Sequence, residues 1–147
     1  MFSKACEYGI KATIYIAQQS QRNERVHVKE IAEAIDSPVA FTAKTLQILA
    51  KHSIIRSVMG FSGGYEIDCD KLDEITLFHI VEAIDGDPVY DGCGLGLHKC
   101  NDAKPCPIHH DFKKIRNDLK EMLQCTLVIS LAEKLDNNLA FLKISLN

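Results

Sequence analysis

No apolar run in this sequence reaches the roughly 18 residues that a membrane-spanning helix needs, so no transmembrane segment is expected. The first twelve residues, MFSKACEYGIKA, carry scattered charges and lack the continuous apolar stretch of a signal peptide. Both absences lead us to expect a cytoplasmic protein. In a reducing cytoplasm, six cysteines are more typical of metal binding or redox chemistry than of disulfide bonds.

Motifs of the common enzyme classes are also missing. No glycine-rich phosphate motif follows a predicted strand, and no nucleophile–base pair can be identified from the spacing. The sequence has no CxxC pair, the usual arrangement of a thiol oxidoreductase. We therefore expect that the chain is not an enzyme, and a thiol or redox enzyme is the less favoured alternative.

Acidic residues are absent from the stretch between Ser37 and Tyr65, although the whole chain carries a net charge of −3. Residues 1–65 hold eight basic and five acidic side chains, a net charge of +3, whereas residues 66–147 carry −6. Attraction to phosphate depends on a local basic patch rather than on the whole-chain charge. Taken alone, the acid-free stretch is weak support for nucleic-acid binding, because such a run can arise by chance.

Three helices are predicted in the first 52 residues, over 3–19, 27–36 and 38–52. Ser37-Pro38 is typical of a helix start, with serine as the cap and proline at the first helical position. A short helix, a tight turn and a longer helix indicate a helix-turn-helix, although an ordinary three-helix core gives the same periodicity. The inward residues of the third helix are expected to be Phe41, Thr45, Leu46 and Leu49.

A β-hairpin is predicted directly after the third helix. Residues 54–58 and 65–67 are β-prone, and a glycine-rich turn from Met59 to Gly64 separates them. The resulting fold class is mostly α with a small β-hairpin wing, and the winged helix-turn-helix occupies residues 1–88. Threonine and glutamine can reach base edges, while lysine and arginine can reach phosphates or guanine. The expected DNA contacts are Thr42, Lys44, Gln47, Lys51, Arg56, Ser62, Gly63 and Tyr65.

A loop rich in cysteine, glycine and proline is predicted over residues 89–110. Cys93, Cys100 and Cys106 fall within fourteen residues, and His109 follows the last of them by three. Thiolates are soft ligands that suit iron–sulfur clusters, zinc and copper(I). We favour an iron–sulfur cluster over zinc, because a structural zinc site usually includes a CxxC pair and the gaps here are six and five residues. Free redox-active thiols are the third interpretation.

A single long helix is predicted from about Asp111 to Asp136, within a C-terminal segment of residues 111–147. Its seam follows a heptad pattern and has one polar member. The seam residues are Phe112, Ile115, Leu119, Met122, Thr126 and Ile129. We expect this helix to pair with its twin in a two-fold homodimer, since DNA-reading domains of this size usually need two half-sites. The alternative is that it packs on its own domain.

Five features occur in one order: the winged helix, a glycine turn ending in GGY, the IVEAIDG helix, the CGLG…C…CPxH loop and the long heptad helix. In this order they resemble the iron–sulfur-dependent winged-helix regulators of bacteria, the IscR- and NsrR-type family, from Phe2 to about Leu135. The resemblance implies a homodimeric transcription regulator, usually a repressor, that binds operator DNA. Its 2Fe–2S or 4Fe–4S cluster would change the DNA affinity in response to nitric oxide, oxygen or iron limitation.

The resemblance also implies a ligand set. Cys93, Cys100 and Cys106 match the family's three cysteine ligands, and His109 matches the histidine ligand of the IscR-type branch. In the NsrR-type branch the fourth ligand is a carboxylate from the other subunit, and the EYGIK segment puts Glu7 at that position. The sequence holds both candidates and does not choose between them.

Two departures from the family pattern leave details open. Met59 stands where family wings often have arginine, so we expect the wing's contact with the minor groove or phosphates to be weaker or to pass to Arg56. The first cysteine gap is six residues, where many relatives have five, so the cluster type is not determined. A zinc-stabilised DNA-binding protein without redox sensing is the main alternative. The cysteines outside the loop are expected to be buried small apolar residues: Cys6, Cys69 and Cys125.

Overall fold

The structure, a computed structural model, describes residues 2–86, 92–97 and 100–144. These ranges contain six α-helices and one antiparallel pair of strands, and none of the helices is long and apolar enough to cross a membrane. In chain order the elements are α1 (Lys4–Gln21), α2 (Val28–Ile35), α3 (Val39–Lys51), β1 (Arg56–Val58), β2 (Gly64–Glu66), α4 (Leu77–Ile84), α5 (His109–Cys125) and α6 (Val128–Asp136).

Helix α1 lies at the centre of the fold and contacts α2, α3, α4 and α6. It begins at a serine cap, where the Ser3 hydroxyl accepts a hydrogen bond from the backbone N–H of Cys6 at 3.0 Å. Ile16 and Ala17 on its buried face are fully enclosed. Burial of an isoleucine side chain stabilises a fold by roughly 1.5–3 kcal/mol, so α1 is a main contributor to the core.

The helix-turn-helix prediction is confirmed, with small shifts at the start of α3. Asp36 ends α2 in the left-handed conformation at φ 54°, and Pro38, rather than Ser37, is the N-cap of α3. Thr45, Leu46 and Leu49 are buried, as expected. The inward placement of Phe41 is wrong. This ring is 37 % exposed and lies edge-on to Tyr8, at 5.4 Å between ring centroids.

The predicted wing is present as a short hairpin. Its strands pair in the register Arg56↔Glu66, Ser57↔Tyr65 and Val58↔Gly64. A further antiparallel bridge joins Tyr65 to Val26, whose backbone groups exchange hydrogen bonds of 2.8 and 3.1 Å. Val26, just before α2, therefore adds one bridge residue to the open side of β2.

The prediction of one unbroken helix from Asp111 to Asp136 is wrong, because the chain leaves the helix at Thr126. The Thr126 carbonyl accepts a hydrogen bond from the backbone N–H of Leu77 at 3.0 Å, and Val128 donates to the Ile75 carbonyl at 2.9 Å. These bonds to the segment before α4 replace helical ones and pair Thr76 with Leu127. A long-range backbone pairing of this kind leaves no signal in the heptad pattern.

Helix α6 turns back onto α1 after this break. Val128 and Ala132 are buried in the same core as Ile16, so the C-terminal segment shares the core of the winged helix. Helix α5 has two differing sides: Leu123 is buried, whereas Ile115 and Met122 are 59 % and 46 % exposed. The exposed part of the predicted seam is therefore confined to α5.

Candidate functional site

Helix α3 presents one polar and basic stripe to solvent. Ala40, Lys44, Gln47 and Lys51 are all exposed, and their spacing of four, three and four residues places them on one face. No acidic side chain lies on α3. Small, amide and cationic side chains in this arrangement suit contact with base edges and phosphates in a major groove.

Thr42 does not belong to this stripe, so its outward placement is wrong. The residue is 1 % exposed, and its hydroxyl donates to the Pro38 carbonyl at 2.8 Å. The same hydroxyl contacts the Ser37 hydroxyl. Thr42 therefore fixes the turn before α3 instead of facing a groove.

A carboxylate at the base of the wing holds two arginines. Glu66 accepts from Arg56 and also from Arg25 Nε, the latter at 2.9 Å. These hydrogen bonds, that from Arg56 foremost, lower the pKa of the Glu66 carboxyl. Arg56 also pairs with Asp68 at 3.1 Å, so its guanidinium is engaged by carboxylates in this structure instead of standing free at the wing.

The glycines of the wing are required by its geometry. A Cβ on Gly63 would lie 2.1 Å from the Val58 carbonyl oxygen, and Gly64 has a φ of +130° against the Val26 backbone. Gly63 is buried and Tyr65 is half-buried, so both lie in the base of the wing. Ser62 is exposed, and its carbonyl accepts from Arg25 at 3.2 Å.

The tip of the wing is apolar. Met59 is 91 % exposed and Phe61 is fully exposed. Gly60 between them adopts a φ of +101°. The position that family wings often fill with arginine thus holds an uncharged side chain directed at solvent.

In the first half of the cysteine loop, backbone amides surround one sulfur. The Cys93 Sγ accepts from the backbone N–H of Leu95 at 3.4 Å, and the backbone of Leu97 contributes a second hydrogen bond. These hydrogen bonds, with a smaller one from the side chain of Cys106, lower the pKa of the Cys93 thiol. Cys93 and Cys106 are therefore neighbours, in a setting that favours thiolate.

The second half of the loop carries a chain of hydrogen bonds that ends on α5. His109, the first residue of α5, is 3 % exposed, and its Nδ1 lies 3.2 Å from the Cys100 Sγ. Its Nε2 lies 2.6 Å from an Asp102 carboxylate oxygen, and Lys113 Nζ contacts the same oxygen at 2.9 Å. Hydrogen bonds from Lys113 and then His109 lower the pKa of Asp102 to about 2.

This geometry selects one tautomer for a neutral His109. An ionised Asp102 can only accept, so the ring proton lies on Nε2 and the lone pair of Nδ1 faces the Cys100 sulfur. Metal-binding histidines commonly donate their second ring N–H to a carboxylate in this way. His109 shares this carboxylate contact with such histidines, and Nδ1 is the ring nitrogen that faces away from the carboxylate.

A buried arginine completes the surroundings of Cys100. Arg116 is 7 % exposed, and its Nη2 lies 3.6 Å from the Cys100 sulfur while Nη1 donates to the Gly92 carbonyl. Its Nε is the one buried side-chain nitrogen or oxygen in residues 2–86, 92–97 and 100–144 that has no hydrogen-bond partner.

The structure brings the predicted ligands together as two pairs, Cys93 with Cys106 and Cys100 with His109. Among the described residues, no group of three or more His, Cys, Asp or Glu side chains is close enough to hold a metal ion. The chemistry of the donors nevertheless fits an iron–sulfur cluster, since three thiols share one loop and N–H donors are directed at two of the sulfurs. The four-residue ligand set remains a prediction.

Glu7, the other candidate for a fourth ligand, lies on the surface of α1. Its carboxylate pairs with Lys4 Nζ at 3.1 Å and its side chain is 46 % exposed. Nearby, Ser3 donates its backbone N–H to Asp85 at 3.0 Å. Asp85 follows α4 directly, so the start of α1 is tied to the end of the helix that precedes the cysteine loop.

Only one of the three cysteines outside the loop is buried. Cys6 is fully enclosed, and burial, with the Asp85 carboxylate beside it, raises the pKa of its thiol to about 12. Cys69 and Cys125 are exposed, so the expectation that they are buried is wrong. Cys69 lies in the turn region after the wing and Cys125 is the last residue of α5.

Sequence reasoning does not identify four residues of these networks: Arg25, Asp102, Lys113 and Arg116. The i, i+4 spacing of His109 and Lys113 places both on one face of α5, and this is a usable signal. The contacts of Arg25 and Arg116 span 41 and 24 residues along the chain, and no local pattern reports them.

Comparison with known proteins assigns the chain to a family. The model of the Rrf2 family, described as iron-dependent transcriptional regulators, matches residues 2–134. A protein of Aquifex aeolicus described as an HTH-type transcriptional regulator is 30% identical over 139 residues, which cover 91% of this chain and 94% of that protein.

Solved structures with the same fold include two regulators. CymR, described as the global cysteine regulator of B. subtilis, has a TM-score of 0.75 at 21% identity and covers 90% of this chain and 96% of its own. The IscR of T. potens has a TM-score of 0.72 at 17% identity and covers 100% of this chain and 93% of its own. At these identities the two structures establish the winged-helix fold alone.

Proposed function

The chain belongs to the Rrf2 family of transcriptional regulators, and from that premise we propose that it is a homodimeric repressor controlled by an iron–sulfur cluster. The family consists of DNA-binding regulators, not enzymes, so the expectation that the chain is no enzyme is confirmed. Cluster sensing, the dimer and action in the cytoplasm are the proposed parts.

One observation carries the cluster proposal: the orientation of His109 between Cys100 and Asp102. A buried histidine needs a partner on each ring nitrogen, and a carboxylate on one nitrogen with the other facing a thiol is the arrangement that suits a metal ligand. Here Nδ1 faces a sulfur at 3.2 Å, and Asp102 holds Nε2 at 2.6 Å. We infer that Cys93, Cys100, Cys106 and His109 would hold the cluster, which supplies chemistry that responds to nitric oxide, oxygen or iron supply.

The route from the loop to DNA passes through α1. The loop follows α4, and Asp85 at the end of α4 accepts from the backbone N–H and hydroxyl of Ser3. Helix α1 packs on both α2 and α3. A change in the loop can therefore alter the position of the exposed α3 stripe, and a coupling of roughly 1–3 kcal/mol is typical of allosteric control.

Anaerobic purification with iron, sulfide and zinc analysis tests the function. We expect iron and inorganic sulfide in the protein, with visible charge-transfer absorption that bleaches on addition of nitric oxide. A colourless protein with one zinc per chain contradicts the proposal and supports the zinc-stabilised alternative. If the purified protein is metal-free, it is treated with iron and sulfide under argon. Failure to form a coloured species then contradicts the proposal that the protein binds an iron–sulfur cluster.

The fourth ligand can be identified by comparing two glutamine variants. We expect His109→Gln to lose its cluster to an iron(II) chelator at least about tenfold faster than the wild type, a loss typical of disturbed metal surroundings. Glu7→Gln should lose it at the wild-type rate, because Glu7 is engaged with Lys4 on the surface. His110→Gln is the matched control, since His110 is adjacent and exposed. The opposite order of the two rates would identify Glu7 as the ligand.

Two substitutions on α3 should separate affinity from specificity. Lys51→Ala is expected to reduce the slope of log K against log salt by about 0.9, the value for one lost phosphate contact. Gln47→Ala should lower the preference for a duplex selected from random-sequence DNA by about 1–3 kcal/mol, the range for one base contact. Fluorescence anisotropy at several salt concentrations measures both, and Lys134→Ala on α6 is the control. Unchanged binding by both variants would remove α3 from the DNA interface.

A further inference from the structure

Arg116 occupies an unusual position for a cation. It lies two helical turns after His109 on the same side of α5, and the two residues approach the sulfur of Cys100 from this helix. One nitrogen of its fork is 3.6 Å from that sulfur and the other donates to the carbonyl of Gly92, next to Cys93. Arg116 therefore joins both halves of the cysteine loop to α5.

Among the described residues, no carboxylate balances the charge of this guanidinium. In the described part of the chain, Arg116 forms no ion pair with an Asp or Glu carboxylate, and its Nε has no hydrogen-bond partner. Arginine stays protonated in proteins. Burying an unpaired charge is costly, so such a residue is normally accompanied by an anion.

The loop itself provides the anion that fits. Thiolates that bind iron are negatively charged, and among the described residues the side-chain acceptor that Arg116 contacts is the sulfur of Cys100. Hydrogen bonds to the sulfur ligands and the net charge around a cluster set its reduction potential. Arg116 would contribute to both, because among the described residues it is the cation that reaches a loop sulfur with a hydrogen-bond donor.

Resting on the proposed cluster function, we propose that Arg116 is a positioning residue of the sulfur ligands. It donates to the Cys100 thiolate, fixes the backbone beside Cys93 and supplies the positive charge that balances the ligand set. It thereby slows cluster loss and raises the reduction potential. The cations on the exposed side of α5, such as Lys114, take no part in this.

The test uses Arg116→Met, Arg116→Lys and the control Lys114→Met, each loaded with iron and sulfide under argon. We expect Arg116→Met to release iron to a chelator at least about tenfold faster than the wild type. Its reduction potential should shift to lower values, since a positive charge and a hydrogen bond to sulfur are lost. Arg116→Lys keeps the charge but not the fork, so it should release iron faster than the wild type at a nearly unchanged potential. Lys114→Met should match the wild type in both.

Three outcomes would overturn the inference. If Arg116→Met retains the wild-type potential and rate of iron release, the guanidinium does not act on the cluster. If only the thermal stability of the iron-free protein falls while the potential stays the same, Arg116 has a packing role alone. Should Arg116→Met fail to fold, identical iron release from Arg116→Lys and the wild type would show that the fork does not hold the sulfur ligands. A wild-type protein that takes up no iron instead overturns the proposed function, and the inference with it.

Discussion

Replacing Cys100 by alanine is expected to give a folded, dimeric protein that holds no iron–sulfur cluster and does not respond to nitric oxide. Cys100 is the loop cysteine that contacts both His109 and Arg116, so its replacement removes one thiol and takes the sulfur contact away from both α5 side chains. Core residues such as Leu46 lie elsewhere, and the fold should survive. Iron content and the visible spectrum after anaerobic purification measure the effect.

Cys69→Ala and Cys125→Ala are the matched controls for this experiment. Both cysteines are exposed and lie outside the loop, so either substitution removes one thiol without touching the candidate ligands. These variants should keep the wild-type iron content and nitric oxide response. A Cys100→Ala protein that retained colour and response would show that Cys100 is not a ligand. Loss of colour in all three variants would point to general instability of the thiols.

The winged helix can be predicted because its signals are local. Glycine at 60, 63 and 64 is demanded by the turn itself, and a Cβ at Gly63 would collide with the Val58 carbonyl. The register of the hairpin follows from that turn, and the buried face of α3 follows from helical periodicity. The outward placement of Thr42 fails because a hydroxyl near a helix start serves equally as a turn-stabilising group and as an exposed contact.

The helix break and the site networks depend on long-range contacts. The heptad pattern continues smoothly through Thr126, yet the backbone there pairs with the segment before α4. In the same way, the cysteine spacing identifies the loop, whereas the side chains that contact the Cys100 sulfur come from α5. His109 can be found through its distance from Cys106 in the sequence, but Arg116 resembles one more surface cation of an amphipathic helix. Only the fold reveals that it faces inward.

The break at Thr126 also reduces the part of the predicted seam that is available for a dimer contact. Of the predicted seam, Ile129 belongs to α6, which packs on α1, so the part available to a second copy is the exposed side of α5. Ile115 and Met122 are seven residues apart on this side and lie beside the half-buried Leu119. The opposite flank of the same apolar face, at Leu123, is used by the chain's own core. A short, one-sided seam on α5 fits a two-fold contact between identical helices.

Ile115→Glu should therefore convert the protein to a monomer and abolish its high-affinity DNA binding. In a two-fold contact the substitution introduces two facing carboxylates, and leaving a buried charge unpaired typically costs about 3–5 kcal/mol. A cost of about 3 kcal/mol raises the dimer dissociation constant by more than about a hundredfold. Loss of the dimer separates the two α3 stripes, so affinity for a two-half-site operator falls with it. Sedimentation equilibrium and anisotropy on the same samples measure the two effects.

Asn117→Glu is the matched control, because it adds the same charge at an exposed position two residues away, on the opposite side of α5. This variant should remain a dimer and keep its DNA affinity. Circular dichroism must show the same helix content for both variants, since Ile115 is exposed in the single chain and contributes little to its core. If Ile115→Glu stays dimeric, the contact lies elsewhere, and the exposed apolar side chains of residues 139–144 become the next surface to test. If both variants dissociate, the cause is net charge rather than the α5 seam.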